Sequence, residues 1–212
     1  MINIAILDTG CSPHDYFNDK NIEFIEDDNG HGTQINGIVS SLAPFSHIIN
    51  FKIADEKGQS KAKYVNNALI KAIELNVDII LLAIGSPTDF KEMHKLIKEA
   101  HKQGIIIISA SGNSRHHIYY PASYKEVISV GALLSDNKTK APWSQSADIY
   151  TIGYNIATTT NDNDWFKATG TSFASAIITG YVAQLINDKG KMTHTKIRKE
   201  LLKIGGVLDG YK

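Results

Sequence analysis

Residues 2–10, "INIAILDTG", decide the fold, because a continuous apolar run ends there in an aspartate and a turn. Residues 2–7 show no alternation of polar and apolar side chains, the pattern of a strand that is covered on both faces. Such strands occur in parallel sheets. Asp8 then stands at the carboxyl end of the strand, where open α/β sheets collect their functional groups.

Four more apolar runs resemble this first one and are rich in β-branched residues. They are "HIINFKI" (47–53), "DIILLAI" (78–84), "GIIIIS" (104–109) and "VISVGAL" (127–133). Strands of this kind joined by long connections indicate a parallel sheet rather than a meander.

Helical patterns lie between and after these runs. Apolar residues recur at i, i+3, i+4 and i+7 in 65–73 and 93–100, and a shorter stripe in 35–42 begins near His31. Residues 173–186 are small or apolar nearly all round, which predicts a buried helix, and a last helix is expected to end at Gly205–Gly206. We therefore predict an α/β fold: one domain over 1–212, with a doubly wound, mostly parallel sheet and helices on both faces.

Composition excludes several classes of protein. The 22 Lys and Arg balance 22 Asp and Glu, so no net field favours nucleic acid or an anionic membrane. No apolar stretch is long enough to span a bilayer. The single cysteine, Cys11, excludes an internal disulfide, and the amino-terminal residues show no basic leader or long apolar segment. We expect a cytoplasmic protein.

Three polar residues end a strand or begin a helix and are therefore expected to converge. They are Asp8, His31 in "NGHGT" and Ser172 in "GTS". A serine hydroxyl needs a base to take its proton, and a histidine base needs a carboxylate on its other nitrogen. Positive potential at a helix start should help to keep His31 neutral at rest. Taken singly, Asp8 could be a turn residue and Ser172 a helix cap.

Acyl transfer also requires a donor for the oxyanion of the transition state. Asn113, in "SASGNS" beyond the run 104–109, is the candidate, with the Ser172 backbone N–H beside it.

These motifs resemble those of the subtilisin-like serine peptidases. "AILDTG", "NGHGTQINGIV", "IIIISASGN", "YYPASY" and "GTSFASAIITG" follow the family's order of Asp, His, Asn and Ser. The resemblance implies a serine endopeptidase that works through an acyl-enzyme on a peptide or protein substrate. Asp8 would orient, His31 act as base and then acid, Ser172 attack, and Asn113 stabilise the oxyanion.

The resemblance also implies where substrate binds. The edges that pair with an extended substrate would be near Gly58 and Ser60 on one side and Ala83, Ile84, Gly85 and Ser86 on the other. The specificity pocket would have walls at 83–86 and Ser111–Gly112 and a floor at Tyr119, which should shorten it or offer a hydroxyl.

Departures from the family pattern lead to further expectations. "SLAPFSH" (41–47) is much shorter than the calcium loop typical there, so we expect no tight calcium site at that place. We also expect no metal site elsewhere and no cofactor. Only seven residues precede Asp8, which indicates that no pro-segment is present. The reduced loops indicate either trimming of a peptide precursor or a protein partner that completes the cleft. The alternatives are a non-catalytic scaffold that only binds peptide and an esterase or ligase that uses the same acyl-enzyme.

Overall fold

The computed structural model describes residues 1–114, 119–204 and 206–209. The strands are β1 Asn3–Asp8, β2 Asn21–Glu23, β3 His47–Lys52, β4 Ile79–Leu82, β5 Ile106–Ala110, β6 Ile128–Leu133, β7 Ile149–Ile152, β8 Ile156–Thr159, β9 Trp165–Ala168 and β10 Leu208–Asp209. The helices are α1 His31–Leu42, α2 Ala62–Glu74, α3 Lys91–Lys102, α4 Thr171–Lys189 and α5 His194–Leu201.

The main sheet has the strand order β10-β7-β6-β5-β4-β1-β3-β2. All its pairings are parallel except that of β10 with β7. β8 and β9 form a separate antiparallel ribbon. The sheet extends from β1 on both sides, with β3 and β2 on one side and β4 to β7 on the other, the pattern of a doubly wound sheet.

The two faces of β1 enter different layers of the core. Ile4 and Ile6 pack with α1 and α4 in one apolar cluster, whereas Ala5 and Leu7 pack with α2 and α3 in another. All four side chains are fully buried. The α/β fold with helices on both faces, which was predicted from the unbroken apolar runs, is therefore confirmed.

The carboxyl-terminal helix is shorter than predicted. α5 ends at Leu201, because the Leu202 N–H bonds to Glu200 O as well as Arg198 O and the chain tightens into turns. The chain then turns, and the Ile204 N–H donates to Leu201 O at 2.9 Å. Of the predicted stop, Gly205–Gly206, the first residue lies outside the described part of the chain.

None of the helices in residues 1–114, 119–204 and 206–209 has the length and apolar character needed to cross a bilayer.

Candidate active site

Asp8 is the last residue of β1 and is 1% exposed. Its Oδ1 accepts hydrogen bonds from the Thr9 N–H at 2.8 Å and from the Thr9 hydroxyl at 3.3 Å. The same hydroxyl accepts the Gly32 N–H at 2.9 Å. Thr9 therefore fixes the carboxylate and also ties the end of β1 to the first turn of α1.

His31 is the first residue of α1, and its ring reaches back to β1. Nδ1 lies 2.7 Å from Asp8 Oδ1, and the side chain keeps 26% of its surface exposed. The approach is possible because Gly32 carries no Cβ; such an atom would meet the carbonyl oxygen of Gly10. The first contact expected within the site is therefore present.

The expected influence of the helix start on His31 is outweighed. Burial lowers the pKa of His31, but the charge of Asp8 and its hydrogen bond, with a further contribution from Asp27, raise the pKa above 6.5. The net effect on the pKa is therefore opposite to that expected of the helix start alone, because two nearby carboxylates favour the charged form.

Ser172 is the second residue of α4 and is 9% exposed. Its hydroxyl donates to the carbonyl oxygen of Ala83, just beyond β4, at 2.8 Å. The His31 ring lies beside the start of the same helix, with its centroid 5.6 Å from that of Phe173. In this conformation the hydroxyl is therefore directed at the β4 segment, not at the imidazole.

Asn113 lies beyond β5, and the start of α4 fixes its amide. Oδ1 accepts from the Thr171 N–H at 2.9 Å and from the Thr171 hydroxyl at 3.0 Å. That hydroxyl accepts the Gly112 N–H at 3.1 Å. With Oδ1 turned to Thr171, the Nδ2 donor lies on the other side of the amide, near Gly170.

A cavity of about 260 Å³ adjoins Ser172. It is lined by Ala83, Gly85, Ala110, Gly112, Asn113, Ser114, Tyr119, Thr171 and Ser172. The Tyr119 ring lies between two glycines: a Cβ on Gly112 would be 2.7 Å from the ring, and one on Gly85 would be 3.3 Å from it. Gly112 also has a φ of +105°, which side chains rarely adopt. The tyrosine therefore fills space between the two backbone segments.

The residues expected to bind substrate are shared between two cavities. Ala83 lines the cavity beside Ser172, Ile84 and Ser86 line a mostly apolar cavity of about 90 Å³ that also includes Ser60, and Gly85 lines both. Gly58 lies in the turn after Asp55, with a φ of +71°, and its N–H donates to Asp55 O at 2.9 Å.

Two of the expected binding residues have contacts that bear on the role expected of them. Ser111 is buried and is absent from the lining of the cavity beside Ser172, to which its neighbours Ala110 and Gly112 contribute. Ser86 exchanges both backbone hydrogen bonds with Tyr120, at 3.0 and 2.8 Å. Its N–H and carbonyl are therefore already paired and are not available to an added strand.

Sequence reasoning missed the residues that hold the site together. Thr9, Thr171 and Asp27 donate or accept hydrogen bonds on either side of Asp8, Asn113 and His31. The signal was small: Thr9 and Thr171 adjoin Asp8 and Ser172 in the sequence, and Asp27 lies four positions before His31. Of the other histidines, His94 is stacked on Tyr124 and lies 3.2 Å from Glu126, and His116 and His117 lie outside the described residues.

Comparison with known proteins places this geometry in a family. The model of the subtilase family matches residues 1–204. The chain belongs to the subtilase family. Its motifs at Asp8, His31, Asn113 and Ser172 all lie within the matched part.

Curated relatives of this subtilase include intracellular and extracellular enzymes. "Major intracellular serine protease" of Bacillus subtilis (strain 168) is 29% identical over 86% of this chain and 67% of the relative. "Minor extracellular protease Epr" of the same organism is 29% identical over 95% of this chain but 34% of the relative. The chain thus spans about a third of the length of the second. The names of such relatives support a serine endopeptidase.

The fold of the subtilase is also found among solved structures. A "cold adapted subtilisin-like serine proteinase" superposes with a TM-score of 0.85, over 95% of this chain and 81% of the other, at 19% identity. Within the described residues, no three His, Cys, Asp or Glu side chains are grouped so that they could hold a metal ion.

Proposed function

We propose that this subtilase is a serine endopeptidase in which Asp8, His31, Ser172 and Asn113 hydrolyse peptide bonds through an acyl-enzyme. The observation that carries the proposal is the 2.7 Å contact between Asp8 Oδ1 and His31 Nδ1 beside the helix start that bears Ser172. A carboxylate on Nδ1 leaves Nε2 as the nitrogen that can accept a proton.

Attack begins with rotation of the Ser172 side chain. The hydroxyl leaves the Ala83 carbonyl and turns to His31. His31 Nε2 then takes the hydroxyl proton as Oγ bonds to the substrate carbonyl carbon. The imidazolium is stabilised by Asp8, whose carboxylate stays ionised.

The negative oxygen of the tetrahedral intermediate is the next requirement. Asn113 Nδ2 and the Ser172 N–H would supply donors, and the bonds from Thr171 to Oδ1 leave Nδ2 as the donor of the amide. Breakdown of the intermediate breaks the C–N bond, and the leaving amine takes the proton from His31. Water then attacks the ester with His31 again as base, which frees the carboxylic acid and restores the serine.

Substrate preference follows from the cavity beside Ser172. Because Tyr119 fills the space between Gly85 and Gly112, we expect small side chains before the cleaved bond. Extended substrate would pair with backbone near Gly58 and Ser60 and near Ala83–Gly85, as in β-augmentation. Ser86 is left out, since Tyr120 already uses its backbone groups.

The biological setting forms part of the same proposal. We propose a single peptidase domain over 1–212 that acts in the cytoplasm, either in trimming a peptide precursor or with a partner that completes the cleft. The match to a relative named as an intracellular serine protease and the single buried cysteine support this setting.

One observation favours a second function, a scaffold that binds peptide without cutting it. The Ser172 hydroxyl donates to Ala83 rather than to His31. If the hydroxyl stayed there when peptide was bound, the imidazole could not activate it.

A fluorophosphonate probe separates the two functions. In the peptidase, mass spectrometry finds the probe on Ser172, and His31→Ala abolishes the modification while the circular dichroism spectrum is unchanged. In the binding scaffold, folded wild-type protein is not labelled although peptide still binds. Incubation of an ester substrate with an amine acceptor then reveals whether acyl transfer to the amine competes with hydrolysis.

A further inference from the structure

Asp27 is a buried carboxylate beside the candidate base that the catalytic scheme does not use. It is 2% exposed. Its Oδ1 accepts the N–H groups of Gly30 at 2.8 Å and Asn29 at 3.2 Å, and its Oδ2 accepts the N–H and hydroxyl of Thr33 at 2.8 and 2.7 Å. These donors lie on both sides of His31, so one carboxylate fixes the first turn of α1.

The helix cannot be capped at its own first position. The residue before His31 is Gly30, which has a φ of 91° and no side chain to accept a hydrogen bond. Asn29 Oδ1 accepts the His31 N–H at 3.2 Å, and Asp27 supplies the acceptors for the Gly30 and Thr33 N–H groups. Its charge is also favourable at the positive end of the helix.

The surrounding chain holds Asp27 in place. Its carbonyl oxygen accepts hydrogen bonds from the Ser12 hydroxyl at 3.4 Å and from Asn161 Nδ2 at 3.0 Å. Asn161 belongs to the turn of the β8–β9 ribbon and lies against Gly30. The position of His31 is therefore tied through Asp27 to the segment after β1 and to the ribbon that leads into α4.

The charge of Asp27 affects the pKa of His31. Burial raises the pKa of Asp27, but hydrogen bonds from Thr33 and Gly30 outweigh it, so the pKa is lowered and the carboxylate is ionised. Its negative charge adds to that of Asp8 in raising the pKa of His31.

Among the described residues, Asp8 and Asp27 are the charged groups that act on His31. Ser172 and Phe173 of α4 and Asn161 of the ribbon carry no charge. The Cys11 thiol stays neutral, because burial and Asp27 raise its pKa. Asp28 is exposed and lies 2.7 Å from Lys52.

We propose that Asp27 is a positioning residue for His31: it fixes the helix turn that presents the imidazole and supplies a second negative charge that stabilises the imidazolium formed during acyl transfer. The inference rests on the proposed function. It assigns no contact between Asp27 and substrate.

The test compares Asp27→Asn with Asp28→Asn, a neighbouring variant that loses the same charge at an exposed, lysine-paired site. In a Ser172→Ala background, side-chain NMR follows the titration of His31, assigned by the signal that His31→Ala removes. We expect the midpoint to move to lower pH in Asp27→Asn and to stay near wild type in Asp28→Asn. Equal midpoints in the two variants would overturn the proposal.

Enzyme kinetics, measured in variants that keep Ser172, provide the second readout. Asp27→Asn should lower kcat on the pH plateau about tenfold, with KM little changed. Its activity at acid pH, expressed as a fraction of its own plateau value, should rise about two- to threefold, because the pKa of His31 is lower. Asp27→Glu, which keeps the charge but displaces the acceptor, should lower kcat without moving the acid limb. A change in both KM and kcat, with the acid limb of the pH profile unmoved, would mean that Asp27 has a merely structural role.

Two provisions keep the result decisive. Asp27→Ser, a neutral residue that also caps helices, replaces Asp27→Asn if that variant does not fold; failure of both neutral variants would also overturn the proposal. The NMR titration needs no turnover, so absence of peptidase activity in the wild type would remove the proposed function while the role of Asp27 is still decided.

Discussion

Ser172 Oγ donates to the carbonyl oxygen of Ala83 at 2.8 Å. The acceptor belongs to the segment that is expected to pair with substrate, so the hydroxyl and an incoming peptide N–H compete for the same oxygen. Binding of an extended peptide would then free the hydroxyl for His31. The contact between Asp8 and His31 is already formed and needs no such rearrangement.

The pH dependence of activity follows from His31. The base must be neutral to accept the serine proton, and Asp8 and Asp27 raise its pKa above 6.5 although burial opposes them. Activity should therefore be lost as pH falls, with a midpoint above the ordinary histidine value. The measurement is kcat/KM against pH with a peptide substrate that has no titrating group in that range.

Removing the carboxylate should change that profile in a defined direction. Asp8→Asn should move the acid limb to lower pH and reduce kcat by about 10⁴-fold, because the imidazole loses both its orientation and the charge that stabilises imidazolium. An acid limb that stays in place in Asp8→Asn would contradict the assignment of His31 as the titrating base.

Asn113 and Thr171 should act as a unit in stabilising the oxyanion. We expect Asn113→Ala to reduce kcat by about 10²–10³-fold with little change in KM, the effect of losing one donor that acts in the transition state. Thr171→Val keeps the shape but loses the hydroxyl that holds Asn113 Oδ1, and should cost about tenfold.

The control for this pair is Thr171→Ser, which restores the hydroxyl and should recover most of the rate. The double variant Asn113→Ala/Thr171→Val should be no slower than Asn113→Ala if the effect of Thr171 on the oxyanion passes through the amide rather than through its bond to the Gly112 N–H. Additive losses would show instead that Thr171 contributes by another route.

Much of this arrangement could be predicted from sequence, for a physical reason. Unbroken β-branched runs such as 78–84 can only be buried on both faces, and buried parallel strands place Asp8 and Asn113 at one edge. The shortest strands were not predicted at all: β2 and β10 have three and two residues, too few to show a period. Side-chain rotamers such as that of Ser172 depend on the competing acceptor at Ala83, which no local pattern encodes.

Tyr119 should determine which side chain is accepted before the cleaved bond. Its ring occupies the space between Gly85 and Gly112, so Tyr119→Gly should extend cleavage to large apolar residues. Tyr119→Phe is the matched control: it keeps the ring and should keep the preference for small residues. Mass spectrometry of a digested peptide library measures both, with Ser172→Ala as the blank. An unchanged preference in Tyr119→Gly would be incompatible with a ring that fills the pocket.

A buried amide pair should contribute to the stability of the helix that presents His31. Asn36 of α1 is 0% exposed, and its Nδ2 donates to Asn50 Oδ1 of β3 at 2.8 Å, while Asn50 Nδ2 donates to Asn36 Oδ1 at 3.1 Å and to Glu23 O. Asn50→Ala leaves the Asn36 oxygen unpaired in the core and should lower the free energy of unfolding by about 2 kcal/mol. Asn187→Ala, which removes an exposed amide bonded to Asp188, should change it by less than about 0.5 kcal/mol. Urea denaturation in the Ser172→Ala background, where self-digestion is excluded, measures the two values, and equal values would show that the amide pair adds nothing to the hold of α1 on the sheet.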